Sequence, residues 1–411
     1  MVRNRGPDSA AADNTGFYVG FHSTTLFLAI SCNQIAKKFA SVPLSIDRGC
    51  GENDMEGGMP LDRSAFERQA AWCRQLGSKF TSELLLALLE ALDTSTATGR
   101  NVINWPGQSG PLKDVVPLRL SGALHAMVLS GQSPSLAPLY PPNPEPDRAK
   151  LKGAVSETLR SCDAQILDFL QFAPQTNEVA RASLLMAGLA VVGSQTGRPL
   201  SVYEIGSSGG LNLNLDRFSH QMGSAHLGDP NSELQLRPDW KGTAPKHMPE
   251  IVARRGCDLN PINVQDPDQA LRLLAYIWPD QPERLARTRA AIALARQFPP
   301  QIDAADAGAW IEDMCRAPAP HGKSRVVMHS ITWQYLPETT QQQITDAMET
   351  AGNKATLETP LAWLSFELND QGKAQLSLRL WPQHTEPRVL ADANPHVQQV
   401  CWHGLNGKQQ G

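Results

Sequence analysis

With 411 residues the chain is long enough for two domains with a sizeable core, and one domain of that length would be unusually large. Its 41% hydrophobic and 19% charged residues are the balance of a soluble globular protein, and a net charge of −4 offers no field that would gather a polyanion, so nucleic-acid binding is not expected. Seven scattered cysteines, odd in number and without a C-x-x-C pair, speak against a zinc site or other metal centre and against a disulfide framework, and suit a reducing cytoplasm.

Residues 1–58 differ from the rest. Phe17 to Ile30 is their one apolar stretch, and His22-Ser23-Thr24-Thr25 interrupts it, leaving it too short and too polar to span a bilayer. Ala29-Ile30-Ser31-Cys32, with Arg3 and Arg5 upstream, resembles a lipoprotein cleavage site, but the broken apolar region and the acidic residues before it favour a plain unstructured extension, or an upstream start chosen over Met55 or Met59. From Arg63 the spacing turns helical: Phe66, Ala70, Trp72 and Cys73, then an apolar helix around Leu84-Leu85-Leu86 that Asp93 and Gly99 end. Asn101 to Gly110 reads as a loop, and Leu118 to Leu129 as a helix around His125, a packed core histidine. Tyr140-Pro141-Pro142-Asn143-Pro144-Glu145-Pro146 cannot be helical, and an amphipathic helix follows from Ala149 to Phe172. Residues 59–173 are thus expected to form a helical domain.

Pro174-Gln175-Thr176-Asn177-Glu178 is polar and leads, with Thr176 or Asn177 as N-cap, into a buried helix over Val179 to Val192. After Gly197 strands and helices alternate: strand Leu200–Ile205, a helix from the glycine turn, strand Glu250–Arg255, helix Pro282–Gln297, strand Gln301–Ala305, helix Ala307–Cys315, strand Arg325–His329, helix Pro337–Ala351 and strand Leu361–Leu368. Such alternation implies a doubly wound α/β domain with a mostly parallel sheet over residues 174–405. Ala374–Leu380 and Val397–Trp402 predict an antiparallel terminal hairpin, Phe218–Lys241 a hairpin insertion, and 406–411 a flexible tail.

The chemistry-bearing motif is Glu204-Ile205-Gly206-Ser207-Ser208-Gly209-Gly210, where strand, turn and helix meet and free N–H groups would favour an anion. A dinucleotide fingerprint would need glycines where Ser208 and Leu211 stand, which disfavours NAD. The elbow G-x-S-x-G is met by Gly206 to Gly210, so Ser208 is a candidate nucleophile, with His329 or His403 as base and Asp303 or Asp306 to orient it. Everything upstream reads as helical, however, whereas an elbow strand normally follows strands that supply an oxyanion loop. The third reading is the acidic-x-Gly-x-(Gly/Ser)-x-Gly loop of class I S-adenosylmethionine (SAM)-dependent methyltransferases, which Glu204, Gly206, Ser208 and Gly210 resemble in register.

That resemblance implies a Rossmann-like, methyltransferase-type sheet and SAM as cofactor. Glu204 would act through the loop, Gly206 and Gly210 would line the methionine part, and Asp258 would hold the ribose hydroxyls, although the gap from the glycine turn is long. Asp306, with Ala305 or Ala307, would meet the adenine, unless it simply caps the next helix. The strand end His329-Ser330-Ile331-Thr332-Trp333-Gln334-Tyr335-Leu336-Pro337 lies where doubly wound sheets bind ligands; it makes His329 a candidate base, Tyr335 a catalytic candidate and Trp333 a packing surface for substrate. Gln175, Asn177 and Glu178 are candidate substrate contacts, although capping would also explain them.

From Phe66 to Trp402 the chain resembles the bacterial domain-of-unknown-function family 2332, through Phe66 to Ala70, Pro174 to Glu178, Glu204 to Arg217, Arg255 to Leu259, Trp278 to Gln281 and His329 to Leu336. The family carries no assigned activity. The expectation is a cytoplasmic enzyme that methylates a small molecule from SAM, with no nucleic-acid or membrane partner and the helical layer as a lid. A non-catalytic SAM-fold module and a Ser208 hydrolase are the alternatives.

Overall fold

The computed structural model describes residues 62–110 and 114–406. The expected extension over 1–58 and nearly all of the 406–411 tail lie outside the described residues.

Among the described residues six helices form the first layer: α1 (Arg63–Gln75), α2 (Lys79–Ala91), α3 (Ala97–Ile103), α4 (Val116–Leu129), α5 (Arg148–Ser161) and α6 (Asp163–Leu170). Apolar side chains at helical spacing, among them Phe66, Leu84, Leu88, Leu120 and Leu124, meet in a shared core. Two boundaries differ from the sequence reading. The segment around Gly99 is a short helix, because Thr96 caps it and the Asp163 carboxylate accepts the N–H groups of Ala97 and Thr98, each at 2.7 Å. The long helix expected over 149–172 breaks at Cys162, where Asp163 turns to serve that partner.

The second part is a nine-stranded mixed sheet. Its strands are β1 (Leu200–Ile205), β5 (Asp239–Lys241), β6 (Ile251–Asp258), β7 (Ile302–Ala304), β8 (Ser324–Ser330), β9 (Leu361–Leu368), β10 (Ala374–Trp381), β11 (His384–Ala393) and β12 (Gln399–Trp402). They lie in the order β5-β12-β11-β10-β9-β8-β1-β6-β7, parallel from β7 to β9 and antiparallel from β9 to β12. The helices on its two faces include α7 (Ala182–Thr196), α8 (Pro267–Ala275), α9 (Pro282–Gln297), α10 (Ala307–Arg316) and α11 (Glu338–Gly352). Alternate residues of each strand serve opposite faces. Val202, Met328 and Leu364 pack with α7 and α9, whereas Ile205, Val327 and Leu361 pack with α10 and α11. Val179–Thr196 has the length and apolarity of a membrane span, but 78% of it is buried inside the fold, so the core accounts for its composition.

The insertion is the expected hairpin, β2 (Ser219–Met222) with β3 (Ala225–Gly228), joined by β4 (Gln235–Leu236). The terminal hairpin differs: β10 pairs with β11, which the sequence reading lacked, and only then does β12 follow. Pro387 and its charged neighbours hide β11, and the register slips where that proline lies. Helix α8 was also missing from the reading; its last residue, Ala275, and the following Tyr276 pack into the helical layer's core.

Candidate functional site

The glycine turn closes β1. Gly206 and Gly210 have φ of +67° and +65°, and Ser208 stands at +54°. No α-helix follows: Leu211–Arg217 is 3-10, kinked at Asn214. Leu211 to Leu215 are all buried, the leucines alternating with Asn212 and Asn214, whose side chains donate to the carbonyls of Glu178 and Phe298, and this alternation of apolar and polar side chains does not suit an α-helix. The expected anion site on a helix N-terminus is therefore lost.

Four N–H groups in and just after the turn are satisfied from within the protein. Ser207 donates to the Cys257 carbonyl at 3.0 Å, Ser208 to Asp258 Oδ2 at 2.9 Å, Gly210 to the Ser207 carbonyl at 2.7 Å and Leu211 to Asn177 Oδ1 at 3.0 Å. The glycines make room for protein: a Cβ on Gly206 would come within 2.4 Å of Thr332 Cγ2, and one on Gly210 within 2.7 Å of Pro300 Cγ. Ser208 is 1% exposed, and its Oγ makes no hydrogen bond among the described residues.

Two carboxyls sit beside this turn. Glu204 is 3% exposed and its Oε2 has no hydrogen-bond partner among the described residues. Burial, reinforced by the nearby Asp258 and opposed by Arg181, pushes its pKa up to about 8. Asp258 ends β6; besides Ser208, it accepts the Asn260 N–H at 2.9 Å and the Gln175 side chain at 3.4 Å. Burial raises its pKa, with those donors pulling the other way.

The segment before α7 brings its three candidates to different tasks. Gln175 reaches Asp258, Asn177 holds the glycine turn, and Glu178 is a buried anion bonded to Arg284 and His396, each at 2.8 Å, with Arg287 at 3.8 Å. Burial alone would raise the Glu178 carboxyl, but Arg284, His396 and Arg181 outweigh it and hold the group far below the usual carboxylate range.

The end of β8 lies beside β1, as the sequence implied. His329 is 2% exposed and engaged at both ring nitrogens: Trp363 Nε1–H donates to Nε2 at 2.9 Å, and Nδ1 lies 2.7 Å from Glu367 Oε1. Because indole only donates, the ring proton sits on Nδ1. Glu367 also accepts the Thr332 N–H, and Trp333 stacks on the imidazole with centroids 5.3 Å apart. We expect nitrogen NMR to find the Nδ1–H tautomer of His329; a proton on Nε2 would contradict this arrangement. Tyr335 packs at the edge of the sheet core, and Asp306 caps α10 by accepting from Gly308 and Ala309.

Beside Asp258, between the helical layer and the carboxyl ends of β6 and β7, opens a cleft of about 1030 Å³. Gln175, Leu259, Asn260, Ile262 and Ala304 line its sheet side; Trp105, Arg119, Phe172 and Arg272 line the rest. Arg272 lies over the Phe172 ring, 3.7 Å from its centroid. Of the expected site residues only Gln175 lines this cleft, with Asp258 directly behind it; Glu204 and the glycine turn lie outside its lining. Phe172, at the end of an expected amphipathic helix, reads as core, whereas Trp105-Pro106 in the loop from Asn101 to Gly110 was the available signal.

Fold and site together define an α/β protein with a ligand-sized cleft under a helical layer. The family model described as "Uncharacterized protein conserved in bacteria (DUF2332)" matches residues 63–402, and the chain belongs to that family. Neither a curated protein nor a solved structure gives a significant match.

Proposed function

We propose that the chain binds SAM in the cleft beside Asp258 and transfers its methyl group to a small acceptor. The observation that carries this reading is the parallel order β7-β6-β1-β8-β9, with a glycine turn after β1 and an acid closing β6 at the edge of a large cleft. Class I methyltransferases arrange these parts similarly, and open α/β sheets bind ligands outside their carboxyl ends. Here the sheet runs on through β10, β11 and β12 to β5, beyond the single hairpin that ends the family's seven strands.

Leu259, Ile262 and Ala304 would offer apolar surface to a flat base. Asp258 spends three of its four acceptor sites on Ser208, Asn260 and Gln175, leaving one for a ribose hydroxyl. Trp105 and Phe172 would exclude water from the opposite wall. SAM supplies an electrophilic methyl group whose transfer needs alignment more than covalent help. Leu259 is 48% exposed, so Leu259→Asp should fold normally yet weaken SAM about tenfold or more in equilibrium dialysis, as a buried unpaired charge demands. Unchanged affinity would count against this cleft.

A hydrolase reading draws on one observation, the positive φ of Ser208 with its unpartnered Oγ. It has less support, because His329 is already bonded to Glu367 and Trp363. Labelling of Ser208 by a fluorophosphonate would favour it, while SAM binding without turnover on any acceptor would favour a non-catalytic module.

A further inference from the structure

A second pocket, of about 570 Å³, opens where Ala180, β4, the first turn of α9 and residues 396–398 meet. Arg237, Arg284, Arg287 and His396 line it. Three carboxylates, Glu178, Asp280 and Glu283, line it as well and match the three guanidiniums in number, so any preference for an anion must come from which donors are left free. Asp280 is engaged elsewhere, accepting the Ser78 hydroxyl at 2.6 Å and the Phe80 N–H at 3.1 Å at the start of α2. Glu283 is exposed to solvent. Among the described residues Glu178 is the carboxylate that pairs with this cluster, bonded to Arg284 and His396 and 3.8 Å from Arg287; burial and the nearby arginines hold the His396 pKa down, so its ring meets Glu178 as a hydrogen-bond donor.

Two guanidiniums keep spare capacity. Arg237 is exposed and makes one long bond, to Gln235 Oε1 at 3.4 Å, among the described residues; Arg287 meets Glu178 only at 3.8 Å. Guanidinium forks match planar or tetrahedral oxyanions, and a partly enclosed site strengthens such pairs. The pocket is far larger than a bare ion needs, and Gln281 and Gln398 add polar groups to its wall.

We propose that this pocket binds a small metabolite through an oxyanion, phosphate or carboxylate, held by Arg237, Arg287 and His396. The site goes beyond the methyl-transfer reading and stands whether or not the larger cleft takes SAM.

The test is calorimetric titration of the full chain with inorganic phosphate and, separately, citrate, at constant ionic strength balanced with chloride. At least one probe is expected to saturate below about 1 mM. Arg237→Gln and Arg287→Gln should each weaken it about tenfold, the usual cost of a charge-assisted contact. Arg316→Gln, at a side chain 66% exposed on α10, should leave it unchanged. Circular dichroism would verify that each variant is folded, and Arg237, being exposed, can be replaced without disturbing the core. Phosphate binding alone identifies a phosphate ester as the ligand class, citrate binding alone a carboxylate. Saturation by neither probe, or equal affinity in both pocket variants and the wild type, would overturn the proposal.

Discussion

Replacing Glu204 by Gln is expected to make the protein more stable than the wild type at pH 8.5 by several kcal/mol, and to change little at pH 4. In the unfolded chain this carboxyl titrates near about 4.3, and in the fold near about 8. The folded state therefore holds a proton that the unfolded state has released. The stability associated with that proton is fully present below about 4.3 and is lost progressively as pH rises to about 8. The upper bound on the loss is ~5 kcal/mol, at 1.36 kcal/mol per pH unit. His125 and His220, which burial lowers to about 4, act in the opposite sense between about 4 and 6.5. The difference between variant and wild type cancels them and isolates Glu204. Denaturant unfolding at intervals from pH 4 to 8.5 measures it; parallel curves would mean that Glu204 is ionised in the fold.

Glu178→Gln is the counterpart, with the larger effect at neutral pH. The substitution keeps the shape but removes the charge that Arg284, His396 and Arg181 share. Breaking a buried pair from one side costs about 3–5 kcal/mol, because the remaining cations lose their compensation. The folded-state pKa of Glu178 is depressed, so its contribution is complete above the unfolded value of about 4.3 and is lost as pH falls below it. Urea unfolding at pH 7 should show the loss, and a variant within about 1 kcal/mol of the wild type would show that the cluster is solvent-compensated.

These two glutamates illustrate what a sequence can and cannot reveal. Period-two strands were legible: β9 falls at the expected residues, because alternation of side chains across a sheet is written locally, and α9 also falls where expected. The motif before Glu178 was visible, but its ion partners lie more than 100 residues away in Arg284 and His396, and no spacing encodes that meeting. The glycine turn lies where the sequence placed it, at the end of β1, but Gly210, expected to let a ligand approach, has positive φ like Gly206, and what fills the space beside the two is Thr332 and Pro300, which only folding brings there. His329 shows the same limit. Its place beside β1 followed from topology, whereas its two bonds, to Trp363 and Glu367, come from neighbours on β9. Helix α8 and strand β11 escaped because each begins with or contains a proline amid polar residues, which reads as a loop.

The most direct test of the central claim is calorimetric titration of the wild-type chain with SAM, S-adenosylhomocysteine and NAD. The account predicts micromolar binding of the first two, little or none of NAD, and binding weakened about tenfold or more in Leu259→Asp while the variant remains folded. No binding of SAM to the well-folded protein would contradict it and bring the Ser208 chemistry forward.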